Sequence, residues 1–179
     1  MLILIGESAS GKSTIEKELV DLGYIKIVSY TSRPIRNGEV DGIDYHYITD
    51  EKFIELDKQG FFAEKTIYNN WHYGTAIDDC TDNKVIVVNP HGFRQLKKIS
   101  TLNIKSFYIK VSQHERLIRI AKRGDDIMEI FRRVISDQGV FQNVDEEVDF
   151  VIENYNINKA VYEIVKYINQ SVIKREMNE

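Results

Sequence analysis

Residues 6–13 read Gly-Glu-Ser-Ala-Ser-Gly-Lys-Ser, a phosphate-loop pattern in which four residues separate two glycines and Lys and Ser follow directly. The apolar run Leu2–Ile5 before it is typical of a buried strand, and residues 14–20 after it favour a helix. This strand–loop–helix context is what the motif requires in order to be more than a chance match. The stretch therefore predicts a nucleotide triphosphate site in an α/β fold.

The spacing of this motif has a chemical reason. Glycine permits a tight turn, so consecutive backbone N–H groups converge into an anion nest, and the helix that follows adds its positive N-terminal end. Lys12 is predicted to reach the β- and γ-phosphates and the Ser13 hydroxyl to ligate Mg²⁺. An ordinary Gly/Ser-rich turn is the alternative. The predicted triphosphate-binding residues are Gly6, Ser8, Ala9, Ser10, Gly11, Lys12, Ser13 and Thr14.

Composition limits the class of protein. A chain of 179 residues with 42% hydrophobic and 29% charged residues suits one soluble globular domain. The formal net charge of −4 argues against nonspecific binding to nucleic acid or acidic membranes, and no apolar run approaches membrane-spanning length. Cys80 is the single cysteine, which excludes an internal disulfide and favours a reducing cytosol. We predict a cytoplasmic protein without nucleic-acid or membrane partners, as a monomer or homodimer.

Strand-like and helix-like segments alternate along the chain. Further strands are predicted at Ile25–Ser29, Lys84–Asn89, Lys105–Val111 and Val148–Glu153, and helices at Lys12–Leu22, His91–Lys98, Gln113–Arg123 and Asn158–Val172. This order predicts a central parallel sheet covered by helices on both faces, the three-layer fold of phosphate-loop NTPases. A single domain, 1–179, is expected.

Two segments interrupt the alternation. Arg33–Thr75 is polar and aromatic with short alternating runs, which predicts a small inserted antiparallel lobe with a helix near Glu51–Asp57. Gly124–Asp145 is charged at its start and helical afterwards, which is typical of a short lid. The predicted division is a core of residues 1–32, 76–122 and 146–179, a lobe of residues 33–75 and a lid of residues 123–145.

A second informative block covers residues 29–45, Ser-Tyr-Thr-Ser-Arg-Pro-Ile-Arg-Asn-Gly-Glu-Val-Asp-Gly-Ile-Asp-Tyr. With the phosphate loop, it resembles the monophosphate-binding signature of the guanylate kinase family. The resemblance continues through residues 61–64, 73–75, 119–124 and 148–154, and so covers nearly the whole chain. It implies a core that holds ATP, a mixed α/β lobe that holds a nucleoside monophosphate, and a lid that closes over both.

The resemblance also implies roles for individual residues. The phosphate of the monophosphate would be gripped by Arg33, Arg36, Tyr45 and Tyr73, and guanine would face Ser29, Glu64 and Thr75. The catalytic set would be Lys12, Arg33, Arg119, Arg123 and Arg133, and Asn154 would join the ATP-binding residues. A carboxylate such as Glu64 accepts from guanine N1–H and the exocyclic amine together, which adenine cannot offer.

The chain departs from the family pattern at three positions. Ala9 replaces a glycine of the phosphate loop, and Val87 and Asn89 stand where the family usually has two Asp residues. Asn89 still offers a carbonyl oxygen to the guanine amine, but it carries no charge. We therefore expect guanine selectivity and metal affinity to differ from the family pattern.

Three functions follow from these observations. The first is ATP- and Mg²⁺-dependent phosphoryl transfer to a nucleoside monophosphate, GMP or dGMP. The second is a kinase for another phosphorylated acceptor, such as ribose bisphosphate or an unusual nucleotide. The third is a non-catalytic guanylate kinase-like binding module, against which the presence of Lys12 and Ser13 argues.

Overall fold

The computed structural model describes residues 1–36, 38–68, 70–123 and 127–176, with the backbone alone at residues 123, 127, 129–130, 133 and 171–176. Within these ranges the strands are β1 (Leu2–Ile5), β2 (Ile25–Lys26), β3 (Tyr30–Thr31), β4 (His46–Tyr47), β5 (Phe62–Tyr68), β6 (Trp71–Ala76), β7 (Lys84–Val87), β8 (Lys105–Lys110) and β9 (Phe150–Glu153). The helices are α1 (Lys12–Asp21), α2 (Asp50–Lys58), α3 (Pro90–Lys97), α4 (Gln113–Arg123), α5 (Ile127–Asp137), α6 (Val144–Glu147) and α7 (Ile157–Glu176).

The central sheet has the strand order β2-β7-β1-β8-β9, and every neighbouring pair is parallel. All four residues of β1 are buried, because helices cover both faces of the sheet. Leu2 and Leu4 pack with residues of α1 and α7, whereas Ile3 and Ile5 pack with residues of α3 and with Val144 of α6. The predicted three-layer α/β fold is therefore confirmed.

A second sheet, with the order β4-β3-β6-β5, forms most of the inserted segment. The pairs β3–β6 and β5–β6 are antiparallel, but β3 and β4 are parallel, so the expectation of a purely antiparallel lobe is wrong at this pair. The reason is the long crossover of residues 32–45, which returns the chain to the same end of the sheet. The predicted helix is α2, capped by the Thr49 side chain on the Lys52 N–H.

Helix α5 and the first half of α6 lie in the predicted lid. Gly139 and Asn143 adopt positive φ in the connection between the two helices, and Val144 is fully buried beside the α3 side of the sheet. The limits of core, lobe and lid stay a prediction. Among the described residues, no helix combines the length and apolarity that crossing a membrane requires.

Candidate functional site

The phosphate loop connects β1 to α1 and has a fixed backbone shape. Gly6 lacks a side chain where the loop approaches β8, since a Cβ there would lie 2.5 Å from the Ile109 carbonyl oxygen. The Ser10 N–H donates to the Glu7 carbonyl at 3.1 Å, and Gly11 adopts φ +96°. Ala9, which replaces a family glycine, adopts φ 62°, so the loop keeps a left-handed turn at a cost of about 1–2 kcal/mol.

Asn154, directly after β9, supports the loop from the sheet. Its side chain is buried and donates to the Ser10 carbonyl at 2.8 Å, and a Cβ on Gly11 would lie 2.3 Å from the same amide nitrogen. Arg119 of α4 donates to the Asn154 carbonyl at 2.7 Å. A cavity on the α4 side of the loop is lined by Gly11, Arg119 and Asn154 together with Ala9, Thr14, Lys122, Tyr155 and Ile157.

Lys12 extends back over the loop that precedes it. Its Nζ donates to the carbonyl oxygens of Gly6 at 2.6 Å and Glu7 at 2.9 Å, which holds the ammonium group at the mouth of the nest. Ser13 and Thr14 follow on the exposed side of the first turn of α1. Mg²⁺ commonly takes one or two protein oxygens and completes its shell with phosphates and water, so the Ser13 hydroxyl fits that ion. Among the described residues, no group of three or more His, Cys, Asp or Glu is arranged for a metal.

A second cavity, of about 270 Å³, joins the phosphate loop to the inserted lobe, and we call it the central cavity. Its lining includes many of the residues predicted for both substrates: Gly6, Ser8, Lys12, Ser29, Tyr45, Glu64, Tyr73 and Asn89. It also includes Val87, one of the departures from the family pattern, and five residues for which no role was predicted: Thr66, Tyr68, Val88, Asp137 and Phe141. The two predicted substrate sites therefore open into one space.

A chain of hydrogen bonds connects three of these predicted residues. The Thr75 hydroxyl donates to Glu64 Oε1 at 2.7 Å, and the Ser29 and Thr75 hydroxyl oxygens are 3.1 Å apart. Because the Thr75 proton is used on Glu64, Ser29 is the donor in the second bond. Glu64 is 6% exposed, and this burial raises its pKa while the bond from Thr75 opposes the rise.

The first turn of α3 packs directly against Glu64. Gly92 has no side chain at the point of contact, since a Cβ there would lie 2.6 Å from Glu64 Oε2. Asn89 is the N-cap of this helix, and its Oδ1 accepts from the Gly92 N–H at 2.8 Å. The carbonyl oxygen predicted to accept from guanine is therefore already engaged with the backbone. Val87, which also departs from the family pattern, places an apolar side chain in the central cavity.

Arg33 is buried, with 4% of its side chain exposed, and it forms an ion pair with Glu39. Its Nη2 donates to both carboxylate oxygens of Glu39 at 2.8 and 2.9 Å, and its guanidinium lies 5.6 Å from the Tyr45 ring centroid and 5.7 Å from that of Tyr47. This pairing lowers the pKa of Glu39 to about 2. Arg36 is exposed, and only its backbone N–H contacts Glu39, at 2.8 Å. The sequence did not indicate Glu39 or Tyr47 as partners of the predicted phosphate grip.

A half-buried carboxylate lies on α1, one turn after Lys12. Burial raises the pKa of Glu16 to about 7, and the nearby Lys26 ammonium opposes the rise only in part. The group therefore titrates close to neutral pH.

The lid helix α5 contacts both the lobe and the loop. Tyr68 of β5 donates to Ser136 Oγ at 3.2 Å and accepts from Arg132, whose guanidinium lies 5.0 Å from the Tyr68 ring centroid. Asp137 Oδ2 accepts from the Ser8 N–H at 2.7 Å. These contacts span 64 to 129 residues in sequence, so no local pattern indicates them.

Three further arginines belong to the predicted catalytic set, and the structure describes the side chain of one of them. Arg119 lies at the cavity on the α4 side of the loop, with Nη1 at 3.5 Å from the Ser10 carbonyl oxygen, and does not line the central cavity. The side chains of Arg123 and Arg133 lie outside the described residues. The catalytic roles of all three stay predictions.

Known proteins resemble this chain in both sequence and fold. A family model described as guanylate kinase matches residues 1–171. The chain is 33% identical to a guanylate kinase of Wolbachia pipientis wMel, over 98% of this chain and 92% of that protein. It is 32% identical to one of Clostridioides difficile strain 630, over 100% of this chain and 89% of that protein. Its fold is similar to the crystal structure of guanylate kinase from Anaplasma phagocytophilum, with a TM-score of 0.73, 22% identity, and 96% and 85% of the two chains covered.

Proposed function

The chain belongs to the guanylate kinase family, and on that premise we propose that it transfers the terminal phosphoryl group of ATP to GMP, giving ADP and GDP. One observation carries the proposal: the Lys12 ammonium and the buried Glu64 carboxylate line the same central cavity. A phosphoryl donor on the loop and an acceptor nucleotide on the lobe can then meet end to end. Holding the two reactants in line supplies a large part of the rate of such transfers.

We assign guanine recognition to Glu64, Ser29 and Thr75. The Glu64 carboxylate has two oxygens that can accept from guanine N1–H and the exocyclic amine, while adenine presents an acceptor at N1. The short distances from Thr75 to Glu64 and to Ser29 support this assignment, because they fix the carboxylate in one orientation. The aromatic residues Tyr45 and Tyr73, which also line the central cavity, would donate to the acceptor phosphate.

We assign the donor ATP to the phosphate loop, with its nucleoside end at the cavity beside Arg119 and Asn154. The backbone N–H groups of the loop and Lys12 would hold its phosphates, and Ser13 would hold Mg²⁺. When bound, Mg²⁺ neutralises charge on the transferring group and on the leaving ADP. This chain's own contribution is the nest, whose shape depends on the left-handed turns at Ala9 and Gly11.

The reaction itself needs little covalent chemistry from the protein. A phosphate oxygen of GMP attacks the terminal phosphorus of ATP, the bond from that phosphorus to its bridging oxygen breaks, and the bonding pair leaves with ADP. A general base is unnecessary, because the attacking oxygen is already ionised near neutral pH. Exclusion of water by the lid prevents hydrolysis of ATP in place of transfer. The contact of α5 with Tyr68 of the lobe supports a closing role for that helix.

The acceptor, partners and location that we propose follow the same reasoning. dGMP is a second acceptor for the same base-reading residues, and neither another phosphorylated acceptor nor a non-catalytic module is favoured by the family relationship. We propose a cytoplasmic enzyme that acts as a monomer or homodimer on free nucleotides.

The test is release of ADP with a panel of nucleoside monophosphates, in wild type and Lys12→Ala. We expect turnover with GMP and dGMP, little with AMP, and a loss of about 100-fold or more in kcat for Lys12→Ala with a much smaller effect on Tm. Lys17→Ala, an exposed lysine on the same helix, is the matched control and should keep wild-type turnover. Turnover limited to a sugar phosphate, or wild-type kcat in Lys12→Ala, contradicts the assignment.

A further inference from the structure

A carboxylate of the lid occupies part of the phosphate loop. Asp137, the last residue of α5, accepts from the Ser8 N–H at 2.7 Å and lines the central cavity. Its side chain is 17% exposed. Backbone amides of such a loop are the donors that bind phosphate oxygens, so Asp137 Oδ2 marks an anion position at the end of the nest that faces the acceptor.

A largely buried guanidinium, that of Arg116, adjoins this anion position. Arg116 of α4 has Nη1 at 3.7 Å from Asp137 Oδ2 and at 3.4 Å from the Ser8 carbonyl oxygen, and Nη2 at 3.6 Å from Glu7 Oε1. These distances are long for charge-assisted hydrogen bonds, which lie near 2.7–2.9 Å. Within the described part of the chain, Arg116 Nε is buried without a hydrogen-bond partner, and the side chain is 12% exposed. The guanidinium therefore has unused donor capacity next to the nest.

On the basis of the proposed function, we propose that Arg116 contacts a phosphate group of the donor ATP. We propose also that the Asp137 carboxylate occupies the position of that phosphate group until ATP displaces it. A phosphate group carries more charge than a carboxylate and presents more oxygens. It satisfies the Ser8 N–H and the guanidinium fork together, whereas Asp137 reaches the guanidinium only at 3.7 Å. ATP binding at this position thus competes with docking of the C-terminal end of α5.

A purely structural role for these residues predicts different behaviour. If Arg116 only joins Glu7 of the loop to Asp137 of the lid, removal of the Asp137 charge lowers Tm and leaves the affinity for ATP unchanged or weaker. If Asp137 competes with phosphate, removal of its charge raises the affinity for ATP. The sign of the change in affinity separates the two roles.

The experiment is calorimetric titration of the full chain with Mg·ATP in the absence of GMP, repeated with Mg-tripolyphosphate. We expect Asp137→Ala to bind both ligands about tenfold more tightly and Asp137→Asn to lie between it and wild type, because Asn keeps the acceptor for Ser8 but loses the charge. Arg116→Gln should bind both about tenfold more weakly. The control is Asp145→Asn, an exposed carboxylate paired with Lys110 at 3.5 Å, which should match wild type.

Two results overturn the proposal: unchanged or weaker binding of both ligands by Asp137→Ala, or wild-type binding by Arg116→Gln. If Arg116→Gln does not fold, the two Asp137 variants decide the question alone. Turnover of wild type with GMP is measured in the same preparation. A wild type that binds Mg·ATP but phosphorylates no nucleotide contradicts the proposed function, whereas an active wild type with unaltered Asp137 variants contradicts this inference only.

Discussion

Gly92→Ala is predicted to impair recognition of the acceptor without loosening the fold. The added Cβ would lie 2.6 Å from Glu64 Oε2 and 3.3 Å from the Glu64 carboxyl carbon. To restore an ordinary contact of about 3.4 Å, the carboxylate must move by about 0.8 Å. Glu64 is held on its other side by Thr75 at 2.7 Å, so the movement also disturbs that hydrogen bond.

The size of the effect follows from this displacement. A misplacement of about 1 Å in a site that positions a substrate can lower the rate about 100-fold. Overpacking lowers the stability of the fold by about 1–3 kcal/mol. Alanine has a higher helix propensity than glycine by about 1 kcal/mol, and Gly92 is not at a positive φ, so part of the steric cost to stability is offset. We therefore expect a 10- to 100-fold rise in KM for GMP, as an order of magnitude, with a small change in Tm.

The assay is steady-state kinetics with GMP and ATP varied separately. KM for ATP should stay within about twofold of wild type, because the atoms nearest to the added Cβ belong to Glu64 and Val88. His91→Ala, an exposed neighbour on the same turn, is the matched control. A folded Gly92→Ala protein with wild-type KM for GMP would refute the reasoning, since Glu64 would then either tolerate the shift or not read the base.

Three further predictions concern single carboxylates. Glu64→Gln should raise KM for GMP and leave KM for ATP unchanged, because an amide offers one acceptor where the carboxylate offers two; equal kinetics before and after the change means that Glu64 does not contact guanine. The pKa of Glu39 is lowered to about 2 by Arg33, so its contribution to stability is present above its ordinary pKa near 4.5 and is lost as pH falls towards 2. Urea unfolding of wild type and Glu39→Gln should thus differ at pH 6 and converge near pH 2; a constant difference contradicts the pairing. The pKa of Glu16 is raised to about 7, so wild-type stability should fall as pH rises from about 4.5 through 7. Glu16→Gln should lack this fall, and parallel pH profiles for the two proteins would show that Glu16 is not buried in solution.

Local patterns in the sequence were sufficient to predict the strands and the helix around the phosphate loop. The buried strand β1, the loop and α1 follow from the motif at residues 6–13, and the apolar run at β7 indicates a strand covered on both faces. Ser29, Glu64 and Thr75 were predicted from the family signature, and the structure brings them within hydrogen-bond distance in one chain of contacts. These features depend on residue type and spacing, which a single sequence displays.

Other features depend on how distant segments pack, and the sequence could not show them. Asp137 and Ser8 are 129 residues apart, and their contact requires α5 to end beside the loop. The pairing of Arg33 with Glu39 is local, but a carboxylate six residues away gives no sign that it will engage an arginine expected to bind phosphate. Asn89 was interpreted as a weakened ligand, whereas its role as the N-cap of α3 depends on where that helix begins.

The central position of β1 has a consequence for how the protein is made. Strand β1 pairs with β7 and β8, whose residues are translated much later than its own. The loop that follows it is supported by the Asn154 side chain, 144 residues further along the chain from Ser10. A nascent chain therefore carries its phosphate-loop residues well before it acquires their nucleotide-binding geometry, which requires the strands and the asparagine that are synthesised later.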